Sequence, residues 1–215
     1  MSIRRGTTSL YTPKSSFGCS FERCEWLTLS HLDEENRAYW NNDGIDVTDC
    51  RHMRISDCRV NAADDGICLK SDCADLCNYD VEIARCDMRS SASAVKFGTA
   101  SWGGFRKIHV HDINVRDTFR SCIAIESVDG GIIDSVLVER IEAENDVPEE
   151  VGKYPEFSMF GELPAWGFYV RHVNRITFHC VHLSLRDSDF RPAFVFDDVR
   201  QLTMEQVTPD ESVFN

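Results

Sequence analysis

No apolar run in the 215 residues approaches the roughly 20 that a bilayer-spanning helix requires, so a membrane partner is not expected. The opening MSIRRGTTSLYTPKSS has two arginines and no apolar stretch behind them, so it lacks the middle of a secretory signal. Localisation stays open: either the chain is cytoplasmic or its natural N-terminus lies outside this sequence. Nor is there a basic run. The 23 Lys and Arg are scattered among 36 Asp and Glu, and a net charge of −13 repels polyanions, which excludes nucleic acid as a partner. Ten cysteines contain no C-x-x-C pair, so a tetrahedral zinc site has no support, and neither a metal nor a cofactor is expected. The nearest pair, Cys73 and Cys77 in CADLC, reads either as a loop disulfide or as plain thiols. Finally, no domain boundary is visible, and an apolar fraction of 42% with 27% charged residues suits one core-bearing unit.

What the sequence does have is a repeat. A four-residue signature reads GIDV from Gly44, GICL from Gly66, AVKF from Ala94, CIAI from Cys122, GFYV from Gly167 and AFVF from Ala193, at steps of 22, 28, 28, 45 and 26 residues. A small residue comes first, apolar residues take the second and fourth places, and the third varies. That is strand alternation with one buried face. A second motif begins 9 to 15 residues after the start of each signature: MRISDCRV, VEIARCDM, IHVHDINV, VLVERIEA, ITFHCVHL and LTMEQV. Its apolar places are the first, third, sixth and eighth. The alternation breaks once in the middle, so the chain turns there and resumes as a third strand.

Three short strands per coil predict an all-β fold, a short single-stranded parallel β-helix whose coils stack at about 4.8 Å and pile equivalent residues into ladders. The expected extent is 38–208, with 1–37 an irregular segment or partial coil and 209–215 a tail. Cys58 and Cys86 hold the sixth place, where later coils have Ile113, Ile141 and Val181, and read as stacked core thiols. His109 and His111 lie two apart on one strand face. With no third ligand evident in the sequence, they read as a solvated face rather than a metal clamp.

Residues just before each signature form their own columns. One reads Asp43, Asp65, Ser93, Ser121, Trp166, Pro192; the next reads Asn42, Asp64, Ala92, Arg120, Ala165, Arg191. Neighbouring coils therefore bring Asp43, Asp64 and Asp65 together, where like charges raise at least one pKa. Such a set lets one carboxylic acid protonate a leaving oxygen while another carboxylate activates water. Asp-rich turns are also common on any surface, and a bare DDG is weak support for catalysis.

NNDGIDV at 41–47 followed by DDGICLK at 64–70 resembles the N-T-D and D-D motifs of the polygalacturonase family, glycoside hydrolase family 28. The likeness continues through SSASAVKFGTASWGGF at 90–105, SCIAIESVDGG at 121–131, LPAWGFYVRHV and RPAFVFDDV, phrases shared with a bacterial subgroup. The resemblance implies a right-handed, pectin-lyase-like β-helix and an inverting hydrolysis, with Asp64 as general acid and Asp43 and Asp65 holding or deprotonating the water. It also implies a chain shorter than the usual member, with few coils before the N-T-D motif and an open end that invites self-association. The family's G-H-G falls at Ala92-Ser93-Ala94, and its carboxylate-gripping R-I-K falls at Ala124-Ile125-Glu126. A groove with Ala and Glu in place of Arg and Lys suits a neutral or differently decorated glycan better than galacturonate.

The residues expected to contact such a polysaccharide or oligosaccharide are Asn42, Lys70, Ser93, Lys96, Arg120, Glu126 and Arg171, with Trp102 and Tyr169 as stacking faces. Trp166 reads equally as a packing residue. Two other readings stand beside the hydrolase: a non-catalytic or degenerate glycan-binding β-helix, and a lyase needing Ca²⁺ carboxylate ligands and an Arg or Lys base.

Overall fold

The computed structural model describes residues 2–4, 8–10, 18–36, 42–118, 120–145, 165–185 and 189–209. Every described element is a strand, and every pairing is parallel. Numbered in chain order, one stack contains β1 (Ser2–Arg4), β3 (Cys19–Glu22), β6 (Ile45–Thr48), β9 (Ile67–Ser71), β11 (Ser93–Ser101), β13 (Ser121–Ile125), β15 (Phe168–Val173) and β17 (Phe194–Val199). A second contains β2 (Thr8–Leu10), β4 (Glu25–Ser30), β7 (Arg51–Ser56), β10 (Asn78–Ser90), β12 (Phe105–Thr118), β14 (Ile133–Asn145), β16 (Ile176–Leu185) and β18 (Leu202–Pro209). The third stack starts with β5 (Asp33–Asn36) and β8 (Arg59–Ala62) and continues as the second halves of β10, β12, β14 and β16. The molecule is a right-handed parallel β-helix.

The break in alternation is a corner. Between the second and third stacks Asp57, Arg85, Asp112, Arg140 and Cys180 take φ of 56°, 51°, 54°, 53° and 53°, the left-handed region. Two residues meant for opposite faces thereby turn to the same side, which moves the apolar places from odd to even positions. The corner side chains then pair between rungs: Arg85 Nε is 2.7 Å from Asp57 Oδ1, and Arg140 Nε is 2.6 Å from Asp112 Oδ1.

The signature's small first residue has a packing cause. A Cβ on Gly66 would lie 2.4 Å from the Ala94 carbonyl oxygen and 2.7 Å from Met88 Cε, and one on Gly167 would lie 2.6 Å from the Ala193 carbonyl oxygen. The same reasoning locates a coil where the sequence reading expects an irregular segment or partial coil. Gly18 opens GCSF, a Cβ there would lie 2.1 Å from the Asp43 carbonyl oxygen, and β3, β4 and β5 complete three strands over residues 19–36.

The core fills the tube with ladders, Ile45–Ile67–Val95–Ile123–Phe168 on the first stack and Leu27–Met53–Val81–Ile108–Val136–Ile176 on the second. Cys58 and Cys86 are buried in the third, as the ladder requires, and Cys73 and Cys77 are free thiols. Asn78 is fully buried at the first corner. Its Oδ1 accepts from the Cys50 amide at 3.0 Å, and its Nδ2 donates to the carbonyls of Lys70 at 2.7 Å and Val47 at 3.2 Å. At the far end, Leu202 and Met204 of β18 are 38% and 42% exposed, because no described strand lies beyond them.

Asn78→Ala strips three backbone groups of their partner in the interior, at about 1–3 kcal/mol each before relaxation. Urea unfolding is expected to show a loss of at least about 2 kcal/mol, with the strand signal in circular dichroism retained in the folded state.

Candidate active site

The two acidic motifs occupy the edge where the chain enters the first stack. The Gly44 amide donates to the Asp65 carbonyl at 2.9 Å, the Gly66 amide to the Ser93 carbonyl at 2.9 Å, and the Asp64 amide to the Asn42 carbonyl at 3.2 Å. These bonds set Asp43, Asp65 and Ser93 in one column and Asn42 and Asp64 in the next. Carboxylate oxygens of Asp43, Asp64 and Asp65 consequently lie within 4.8 Å of one another. Each column member also holds the one before it: the Asp65 amide donates to Asp43 Oδ1 at 3.2 Å, and the Ser93 amide to Asp65 Oδ1 at 3.0 Å.

A cation faces each acid. Lys70 Nζ is 2.7 Å from Asp43 Oδ2, Lys96 Nζ is 3.1 Å from Asp65 Oδ2, and Arg120 Nη2 is 3.7 Å from Asp64 Oδ1. Asp64, Asp65 and Lys96 are 5%, 3% and 4% exposed, so the lower half of the site is a buried ionic layer while Asp43 and Lys70 lie nearer the surface. The Asp65 carboxyl is raised, chiefly by burial, with Lys96 opposing and Asp43 adding to the rise. Repulsion between acids, the cause anticipated from sequence, is thus the lesser of the two raising effects.

Asp46 and Cys68 belong to this cluster and were missed by the sequence reading. Both take the signature's variable third place, in register with Lys96, Ala124 and Tyr169, so the signal was the outward column itself. Lys70 Nζ is also 2.7 Å from Asp46 Oδ1. One ammonium therefore serves two carboxyls. Burial together with the Asp43 charge pushes Asp46 from 3.8 to about 6 against the pull of Lys70. Burial pushes the Cys68 thiol well above its usual range, and its Sγ donates to the Gly98 carbonyl at 3.1 Å, so it stays a neutral thiol.

The remaining expected contact residues divide. Asn42 is half-buried beside Asp43. Ser93, at the family's histidine place, is buried with its Oγ 3.0 Å from Ser121 Oγ. Tyr169 is half-buried in the Lys96 column, whereas Glu126 and Arg171 follow Lys70 and Gly98 in the adjoining one. Arg171 lies outside the acidic cluster and pairs with Asp197 at 2.8 Å. Trp102 is 56% exposed in the turn after β11, and Trp166 is 4% exposed, a packing residue. The oxygens of Asp43, Asp64 and Asp65 are close enough to share a cation, a position where Lys70, Lys96 and Arg120 supply the counter-charge.

The fold is a parallel β-helix with two acidic motifs on adjacent rungs. The model of glycosyl hydrolases family 28 matches residues 8–131, more than half of the chain, and the chain belongs to that family. Among solved structures it is similar to the polygalacturonase from Erwinia carotovora ssp. carotovora, with a TM-score of 0.59 and 15% identity over 98% of this chain and 59% of that one. It is also similar to a hyperthermoactive exopolygalacturonase from Thermotoga maritima, with a TM-score of 0.51 and 19% identity over 90% of this chain and 49% of that one. At these identities the likeness establishes the fold, and the chain spans about half to three-fifths of their length. No curated protein matches it.

A carboxyl whose folded pKa lies above its unfolded value stabilises the fold below the unfolded pKa and loses that contribution as pH rises through the folded one. The Asp46 shift from 3.8 to about 6 is therefore expected to lower stability as pH rises across that interval, by up to about 3 kcal/mol. Asp46→Asn removes this slope. The check is urea unfolding of both proteins at several pH values, with the carboxyl titration of Asp46 followed by NMR.

Proposed function

We propose that the protein hydrolyses a glycosidic bond with Asp43, Asp64 and Asp65. The observation that carries this reading is the convergence of the three carboxyls within 4.8 Å at a rung edge, in a chain of family 28. Asp64 donates its proton to the glycosidic oxygen as the C–O bond breaks. A water molecule attacks the anomeric carbon from the opposite face and passes its proton to Asp43 or Asp65, each of which accepts a backbone amide and faces a lysine. Inversion is inferred from the family; general inverting pairs stand about 6.5–9.5 Å apart, wider than the closest-oxygen spacing here, so stereochemistry is a sharp test.

The cations argue for the substrate class. Lys70, Lys96 and Arg120 each face a site carboxylate, and the R-I-K place holds Ala124, Ile125 and Glu126. A uronate carboxylate entering this groove meets acids whose counter-charges are already engaged, which favours a neutral or differently decorated glycan. A second reading, glycan binding without turnover, is favoured by the burial of Asp64 and Asp65 against Arg120 and Lys96.

The expected result is release of reducing sugar from a neutral member of a glycan panel, with an inverted anomer first seen by NMR. Asp64→Asn should reduce the rate about 10²–10⁴-fold while leaving the fold intact. Equal rates in both proteins remove Asp64 from the mechanism, and saturable binding with no reducing sugar establishes the second reading.

A further inference from the structure

On the outer face of the second stack, away from the acidic motifs, the ladder assembles a ligand set that the sequence conceals. His109 and His111 of β12 share a face, their rings 4.1 Å apart, and the preceding rung adds Glu82 of β10. Donor atoms of the three lie within 4.8 Å of one another. The sequence reading found no third ligand because Glu82 is 27 residues from His109 in the chain and becomes its neighbour only through the β10–β12 register.

Carboxylates already orient both rings. Asp112 Oδ2 is 2.6 Å from His111 Nδ1, and Glu139 Oε1 is 2.8 Å from His109 Nε2. A carboxylate on one imidazole nitrogen fixes the tautomer and makes the other nitrogen a better metal ligand. For His111 that other atom, Nε2, is 2.9 Å from Glu82 Oε1. His111 is 8% exposed and stands between two carboxylates, Asp112 at Nδ1 and Glu82 at Nε2. A divalent cation between His111 Nε2 and Glu82 Oε1 takes one lone pair from each. The flanking groups are Arg54, whose Nε meets the other Glu82 oxygen, Oε2, at 3.1 Å, Arg140, whose Nε is 2.6 Å from Asp112 Oδ1 and whose Nη2 is 3.1 Å from His111 Nδ1, and His179, whose Nδ1 is 3.5 Å from Glu139 Oε2.

We propose that Glu82, His109 and His111 bind one zinc-class divalent metal ion, completed by water, with Asp112 and Glu139 as the carboxylates that orient the two histidines. Two imidazoles and one carboxylate suit Zn²⁺ and its neighbours Co²⁺ and Ni²⁺ rather than Ca²⁺ or Mg²⁺. Tetrahedral bonds of about 2.0–2.2 Å set donors roughly 3.3–3.6 Å apart, so His111 Nε2 and Glu82 Oε1 part slightly from 2.9 Å while the wider pairs close in, a movement available to long side chains on a sheet surface. The ion clips β10 to β12 and stiffens the middle of the solenoid. This site is independent of the glycosidase reading.

The test is calorimetric titration of zinc chloride into reduced, chelator-treated full-length protein, repeated with cobalt chloride and followed by absorption. One ion per chain is expected, with a tetrahedral cobalt spectrum that lacks thiolate-to-metal charge transfer. Glu82→Gln and His109→Gln should each weaken binding at least about tenfold, and Asp112→Asn about 10–100-fold, all with unchanged circular dichroism. Asp112 lies at the surface with its side chain 38% exposed and outside the core, so that variant keeps the test valid should either ligand variant fail to fold. Absence of stoichiometric binding, equal affinity in Asp112→Asn, or a cobalt–thiolate band would overturn the proposal.

Discussion

The structure depends on parallel backbone hydrogen bonding held in strict register from rung to rung. A slip of one residue would turn every apolar ladder outward and carry Asp43, Asp64 and Asp65 away from one another. Several devices oppose it. The small first residue of each signature admits the neighbouring carbonyl, and Asn78 ties three backbone groups at one corner. At the other corner the outward residues run Asp57, Arg85, Asp112, Arg140, so correct register sets opposite charges side by side. Each such exposed pair adds little stability, but a shifted register forfeits them together.

Register also decides the electrostatics of the site. The chain carries a net charge of −13, yet at the acidic motifs each of three carboxylates is matched by a cation further along the solenoid, Lys70 and Lys96 from the next rung and Arg120 from the one after it. Local balance allows Asp64, Asp65 and Lys96 to be buried, since an unpaired charge at that depth costs several kcal/mol. The fourth acid, Asp46, shares Lys70 with Asp43 and is the one whose carboxyl rises to about 6. A site built this way has its positive charges committed to its own carboxylates.

The repeat was legible because β-helix ladders impose identical environments at fixed intervals: the two apolar places, the small first residue and the mid-motif break all follow from burial and the left-handed corner. The columns holding Asp43, Asp64 and Asp65 could be read for the same reason. GCSF at Gly18 fits the signature too, and LTLSHLDE, which starts nine residues later, repeats the second motif at its first, third and sixth places; the polar Glu34 at the eighth place is what makes this coil read as partial. Depth and pairing were not legible. Whether Lys96 reaches Asp65 or solvent, and whether Asp46 shares Lys70, depends on side-chain reach across rungs, which periodicity does not encode. Glu82 beside His109 and His111 was hidden for a simpler reason, since it lies in a different motif copy.

The most direct measurement is a crystallographic determination of the carboxylate positions of residues 43, 64 and 65 in the unliganded protein. The account requires their nearest oxygens to lie within 4.8 Å of one another, with the Asp65 amide on Asp43 Oδ1 and Lys96 against Asp65. Finding residue 43 one rung or more out of step with residue 65 would contradict it, because the ladder would then not be what assembles the site.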